Sequence, residues 1–232
     1  MIAFDRPWQI VGLIALVVIL RVIFPRLSVL KANLRASVIE FDDSLLIALL
    51  IVFCVVRPFV LQAFYIPSGS MLPTLHEGDR ILVLKFWYRV TPPQPRDIIV
   101  FRAPKAALYA NPALNPDVNE QKDFIKRLQG TPGDRLRVRD SALYRNGQRQ
   151  TEPYLESPPA YEWPQDPGQE VAVPPRNYVV MGDNRNNSND STKWRLPTRG
   201  GNLIDCPWVP EEAVLGKAWL IFWPLDRIRL LN

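Results

Sequence analysis

Two apolar runs within the first 66 residues constrain this chain more than any other feature. Trp8 to Leu20 is uncharged and apolar apart from Gln9, and Val22-Ile23-Phe24 carries it past Arg21 to about a bilayer's thickness before Pro25. Ser44 to Val56 forms a second run, continued past Arg57 and Pro58 by Phe59 to Ile66. Each uncharged core is shorter than the roughly 20 residues of a comfortable span, but arginines at the edges can snorkel. Both runs therefore read as membrane spans, at 8–24 and 44–62. The first is followed by Pro25-Arg26-Leu27 rather than by an obvious small-residue cleavage site, which argues against a removable leader. Arg21, Arg26, Lys31 and Arg35 lie in or beside the connector 25–43, whereas only Arg6 precedes the first run. Positive charge is retained on the cytoplasmic side, so everything after the second span is expected outside.

The remainder is of another character. Of the 232 residues 23 are proline and only 11 glycine, and the prolines crowd beyond Pro67, where they would interrupt long helices. Short apolar runs recur there: Arg80 to Leu84, Asp97 to Phe101, Phe124 to Leu128, Arg135 to Val138, Tyr178 to Met181 and Ala218 to Phe222. Each has the length and composition of a strand, so the fold class is mainly β. About 165 residues follow the apolar runs, enough for one sizeable core. Residues Asn111 to Gln121, the proline-rich stretch Glu152 to Val173, and Arg195 to Pro207 read as loops or insertions. The domain division is thus an anchor at 1–66 and a β-rich domain at 67–232.

Three polar blocks carry the chemistry. The first is Ser68-Gly69-Ser70-Met71-Leu72-Pro73-Thr74-Leu75. A serine nucleophile needs a base, usually a histidine oriented by a carboxylate. The chain's one histidine, His76, has no marked carboxylate partner, so the base of Ser70 is expected to be a lysine. The second block offers Lys126 in the alternating run Phe124-Ile125-Lys126-Arg127-Leu128. A lysine in water titrates near 10.4, and burial can lower this by about 3 units, making it a usable base. The plain alternative is a surface lysine on a strand. The third block, Met181-Gly182-Asp183-Asn184-Arg185-Asn186-Asn187-Ser188-Asn189-Asp190-Ser191, is dense in side chains that bond nearby backbone.

In this order the three blocks resemble the type I signal peptidases, membrane-bound Ser-Lys proteases that remove signal peptides. Gly78-Asp79-Arg80 and Gly216-Lys217-Ala218 also fit the family, and the resemblance runs from about Arg57 to the C-terminus. It implies an antiparallel β-sheet catalytic domain with Ser70 as nucleophile and Lys126 as general base. It further implies an oxyanion hole made by the Ser68 hydroxyl and the Ser70 N–H, with Ser188 orienting the lysine. Phe64, Ile66 and Ile125 are expected to line or neighbour shallow pockets for an Ala-x-Ala cleavage site, with core packing as the competing reading. The implied substrates are secretory preproteins, and the implied location is the plasma (inner) membrane with the catalytic domain on its extracytoplasmic side. Gly69, lacking a Cβ, would let backbone and substrate approach between two working serines.

Two positions depart from the family pattern: Asn186, where aspartate is frequent, and Thr192, where a basic residue often follows. In the family that basic residue can pair with the aspartate matching Asp190, and Arg127, Lys193 or Arg195 are the candidate substitutes. One histidine and two distant cysteines, Cys54 and Cys206, supply no metal-ligand spacing, so neither metal nor cofactor is expected. The net charge of +5 and pI of about 9.4 would permit nucleic-acid binding. Scattered on a membrane protein facing away from the cytoplasm, that charge suits anionic lipid headgroups better, and the lipid bilayer is the expected partner. A self-cleaving Ser-Lys repressor would bring a helix-turn-helix module where this N-terminus is apolar. A non-catalytic binding domain would need none of Ser68, Ser70, Lys126 and Ser188.

Overall fold

A computed structural model describes residues 43–45, 47–48, 61–110, 121–198 and 200–231. The chain divides into two units, Met1–Leu61 and Gln62–Asn232. Of the first, residues 43–45 and 47–48 are helical. The predicted span 8–24 lies outside the described residues, as do most of 44–62 and residues 111–120 of the predicted loop. Among the described residues no helix is long and apolar enough to cross a membrane. The end of the second apolar run differs from expectation: Leu61–Tyr65 is strand β1. Within it exposure alternates from Ala63 to Tyr65, with Ala63 and Tyr65 outward, which suits a sheet edge and not a lipid-facing helix.

The second unit is built on an eight-stranded antiparallel sheet of order β1-β2-β13-β3-β4-β9-β12, with β14 pairing to β13. Its strands are β2 (Arg80–Leu84), β3 (Ile98–Arg102), β4 (Asp123–Gly130), β9 (Asn177–Met181), β12 (Val209–Pro210), β13 (Val214–Trp223) and β14 (Arg229–Leu230). The predicted strands therefore lie within or overlap the observed ones. β2 alternates, burying Ile81 and Val83, whereas central β4 is buried on both faces from Lys126 to Gly130. Long β13 is bulged between Ala218 and Leu220 and again between Ile221 and Trp223. Bulges add local twist and bend a strand. Gly216 lies where a Cβ would meet Leu84 O at 2.4 Å, so β13 and β2 can pair closely only with glycine there.

A second sheet, β7-β6-β5-β8, comprises β5 (Arg135–Arg139), β6 (Ala142–Arg145), β7 (Gln148–Arg149) and β8 (Val171–Ala172). Its apolar face forms a cluster around Leu136, Val138, Leu143 and Trp163 that also takes in Val179 and Met181 of β9. The expected loop at 195–207 contains a hairpin, β10 (Arg195–Pro197) on β11 (Leu203–Asp205), closed by an Arg195–Asp205 ion pair. Helices are short: α1 (Trp87–Val90) and α2 (Lys105–Tyr109). The prolines account for that brevity, as Pro92 and Pro93 follow α1 closely and Pro104 precedes α2.

Candidate active site

Ser70 sits in the 3-10 turn Gly69–Met71 that follows β1. Fully buried Met71 and Leu75 pin the turn into the core, and Leu75 N–H donates to Met71 O at 2.9 Å. Lys126 lies in the middle of β4, opposite Ile99 of β3. Its Nζ donates to Ser70 Oγ at 2.8 Å and to Ile125 O at 2.9 Å. The strand thus brings together two side chains far apart in sequence at a distance suited to proton transfer. Burial of Lys126, which is 5 % exposed, pushes its amine down to about 8, against an opposing pull from Asp190 and Asp183. At neutral pH about a tenth of such amines are unprotonated, against roughly one in a few thousand for a lysine in water.

The other expected residues divide. Ser68 is exposed, with its Oγ 3.5 Å from Ser70 Oγ, on the same face of the turn. Ser188 is 4 % exposed and close by, but its Oγ has no hydrogen-bond partner, so the expected bond to the lysine amine is not made in this structure. The amine's protons are directed to Ser70 and Ile125. His76 is exposed, and its backbone N–H bonds Asp79; its ring makes no bond to Ser70. Phe64, Ile66 and Ile125 do line one small cleft, together with Val100 and Phe124. Phe64 and Ile125 are half-buried there, whereas Ile66 is 1 % exposed and belongs mainly to the core. Lys126 Nζ stands 5.6 Å from the Phe124 ring centre, so the lysine adjoins this cleft. Gly69 has a packing reason besides the one expected: a Cβ there would come within 2.9 Å of Leu72 Cδ1.

The partner of Asp190 differs from every cation expected for it. Arg127 pairs with Asp183, Arg195 pairs with Asp205, and Lys193 is exposed. Fully buried Asp190 accepts instead from Gly182 N–H at 2.9 Å, Thr192 N–H at 3.1 Å and Thr192 Oγ1 at 2.8 Å. A hydroxyl and two amides bond the carboxylate where a cation could have stood, and Asp190 opposes the lowering of the Lys126 amine. The other departure, Asn186, uses both halves of its amide: Nδ2 donates to Pro158 O at 3.0 Å and Oδ1 accepts from Ala160 N–H at 2.8 Å.

Four residues hold this site in roles that sequence reasoning did not assign to them. Asp183 receives Arg127 Nε at 2.8 Å and Nη2 at 2.7 Å, and Thr74 Oγ1 donates to the same carboxylate. The triad, with Arg127 and Asp183 buried and Thr74 half-buried, ties the serine turn, β4 and the loop after β9 together. The adjacency of Arg127 to Lys126 was its one sequence signal. Gly182 is the fourth such residue: a Cβ there would lie 2.3 Å from Ser188 Oγ and 2.4 Å from Ser70 O. Only glycine lets these two serines approach across the loop. Among the described residues no three His, Cys, Asp or Glu side chains converge as a metal site.

This arrangement of a buried amine on a half-buried serine suits acyl transfer without a histidine. The family model for "Signal peptidase, peptidase S26" matches residues 35–223. The chain is 42% identical over 173 residues to the signal peptidase I of Leptolyngbya laminosa, covering 75% of this chain and 74% of that protein. To the signal peptidase I of Pseudomonas fluorescens it is 35% identical, over 85% of this chain and 78% of that protein. A crystal structure of a signal peptidase I from Enterococcus faecalis V583 is 26% identical, with a TM-score of 0.35, over 55% of this chain and 97% of that one. A match that long, together with relatives so evenly covered, means that the chain belongs to the signal peptidase family, peptidase S26.

Proposed function

We propose that this serine endopeptidase works through a Ser70–Lys126 dyad, cleaving secretory preproteins after an Ala-x-Ala site. The observation that carries the reading is the 2.8 Å separation of Lys126 Nζ from Ser70 Oγ with the lysine buried. Unprotonated Lys126 takes the proton of Ser70 as Oγ attacks the scissile carbonyl. The resulting ammonium then gives that proton to the departing amine, leaving an acyl-enzyme on Ser70. Water, deprotonated by the same amine, hydrolyses the ester and returns the serine. The Ser70 N–H and the Ser68 hydroxyl stabilise the oxyanion, a donor of this kind being worth about 3 kcal/mol in the transition state. Ser188 holds the lysine during the cycle; its buried hydroxyl without a partner is what supports this role. The cleft of Phe64, Ile66 and Ile125 takes the small side chains of the site.

The membrane anchor belongs to the same proposal. The runs at 8–24 and 44–62 hold the enzyme in the plasma membrane, and the unit that starts near residue 62 works on the extracytoplasmic face, beside the bilayer where a signal peptide's apolar segment ends.

Cleavage of a preprotein bearing an Ala-x-Ala site by the detergent-solubilised full chain tests the dyad. Wild type is expected to cut at that site, with Ser70→Ala and Lys126→Ala both inactive. Cleavage that survives either substitution would overturn the assignment.

A further inference from the structure

The proline-rich stretch after Thr151 is absorbed neither by the dyad nor by the cleft. It nevertheless contacts β4, the strand that carries Lys126, and the loop after β9. The Glu152 side chain is 6 % exposed and faces Arg185, whose side chain is fully buried; both terminal guanidinium nitrogens, Nη1 and Nη2, donate to the carboxylate, Nη1 at 2.7 Å. Arg185 Nε donates in turn to Gly182 O at 3.1 Å, and Gly182 is the residue packed against Ser70 and Ser188. Two residues on, Tyr154 lays its ring under the Arg127 guanidinium, 4.0 Å from Cζ to ring centre. Its hydroxyl donates to Glu152 Oε1 at 2.6 Å and accepts from Gln129 Nε2 at 3.1 Å. Farther along, Pro158 O and Ala160 N–H engage the Asn186 amide.

We propose that residues 152–160 form a positioning clamp for the catalytic dyad, with Glu152 and Tyr154 as its positioning residues. The inference rests on the Ser70–Lys126 reading. One arm, Glu152, fixes the loop that carries Ser188 through Arg185 and Gly182. The other arm, the Tyr154 ring, fixes Arg127, the immediate neighbour of Lys126 on β4. Because the Tyr154 hydroxyl bonds Glu152, the two arms are one unit. Tyr154 borders an open cleft of about 370 Å³ shared with Thr74, Arg127 and Arg229, so truncating the ring widens an existing space beside Arg127. Ångström-scale drift of the amine from Ser70 Oγ is enough to decide the rate.

Neither clamp residue touches the reacting atoms, so the test separates positioning from bulk stability. Full-length wild type, Tyr154→Leu, Tyr154→Phe, Ser70→Ala and Lys126→Ala are compared in detergent by kcat, KM, thermal midpoint and pH profile. Tyr154→Leu is expected to lower kcat about tenfold with KM within about twofold, and to move the pH midpoint of kcat upward as water reaches the lysine. Tyr154→Phe keeps the ring on Arg127 and is expected to restore most of kcat. An unchanged kcat and pH midpoint in folded Tyr154→Leu would overturn the clamp while leaving the dyad intact. Activity in Ser70→Ala or Lys126→Ala would overturn the dyad and the clamp with it. Should Tyr154→Leu fail to fold, Asn186→Ala cuts two exposed bonds to the clamp; a kcat reduced about threefold then supports the proposal, and an unchanged one overturns it.

Discussion

A single burial decides whether Lys126 is a base or an ammonium. Its amine titrates near 8 because water is excluded, while Asp190 and Asp183 hold it from falling farther. The neutral, competent form grows as pH rises through that value, so kcat/KM is expected to climb across pH 7–9 with a midpoint near 8. Thr192 gives a second lever on the same group. Thr192→Arg would set a cation on Asp190, weaken its pull on Lys126 and move the midpoint to lower pH; an upward move in the pH–rate profile would contradict this electrostatic assignment. Gly182 acts by what it lacks. In Gly182→Ala the new methyl would stand 2.3 Å from Ser188 Oγ and 2.4 Å from Ser70 O, and since one of these atoms is backbone the loop must move. The expected result is loss of about 1–3 kcal/mol in denaturant melts together with a kcat reduced by more than about tenfold.

Among the elements, β4 is the one on which the site depends. It pairs with β3 on one side and β9 on the other, presents Lys126 to the serine turn and sends Arg127 to Asp183 in the loop after β9. That ion pair is almost wholly buried, with side chains 3% and 0% exposed. Arg127→Met would leave the Asp183 carboxylate without its countercharge in a place water does not reach, and is expected to cost about 3–5 kcal/mol in a chemical-denaturation measurement. A cost under about 1 kcal/mol would mean that the pair is offset elsewhere. The strand itself was readable from the alternation of Phe124 to Leu128. Its partner was not, because Asp183 lies 56 positions away and nothing local marks which of the several acidic residues a buried arginine will meet.

At the scale of the whole molecule, the curl of the large sheet makes the cleft proposed for the substrate. β1 and β4 are separated in the sheet by β2, β13 and β3, yet Phe64 and Ile125 line the same cleft. Strands that far apart in order can share a cleft only if the sheet bends, and the bulges of β13 lie between them. The cleft is small, which suits methyl-sized side chains. Ile125→Ala should deepen it, so that preproteins with valine or leucine at the cleavage position gain relative to alanine by about tenfold or more in kcat/KM. An unaltered preference in a competition assay would remove Ile125 from the specificity wall.

What the sequence determined by itself was local: the prolines that keep helices short, the alternating runs that became strands, and the serine and glycine blocks whose residue types mark them as chemical. The structure adds most where neighbours in space decide. The run to Ile66 gave up Leu61–Tyr65 to an edge strand because β2 was there to pair with it, and 195–207 closed on itself as a hairpin. Asp190 bonds Thr192 and the Gly182 amide rather than any of the three candidate cations, and the buried Ser188 hydroxyl has no partner in this structure. The low titration point of Lys126, the approach of Ser70 to Ser188 across Gly182, and the gathering of Phe64 and Ile125 were decided by the tertiary structure alone. Desolvation and contact depend on what packs against a residue, and a strand's own pattern carries only which face it buries, not what it will meet there.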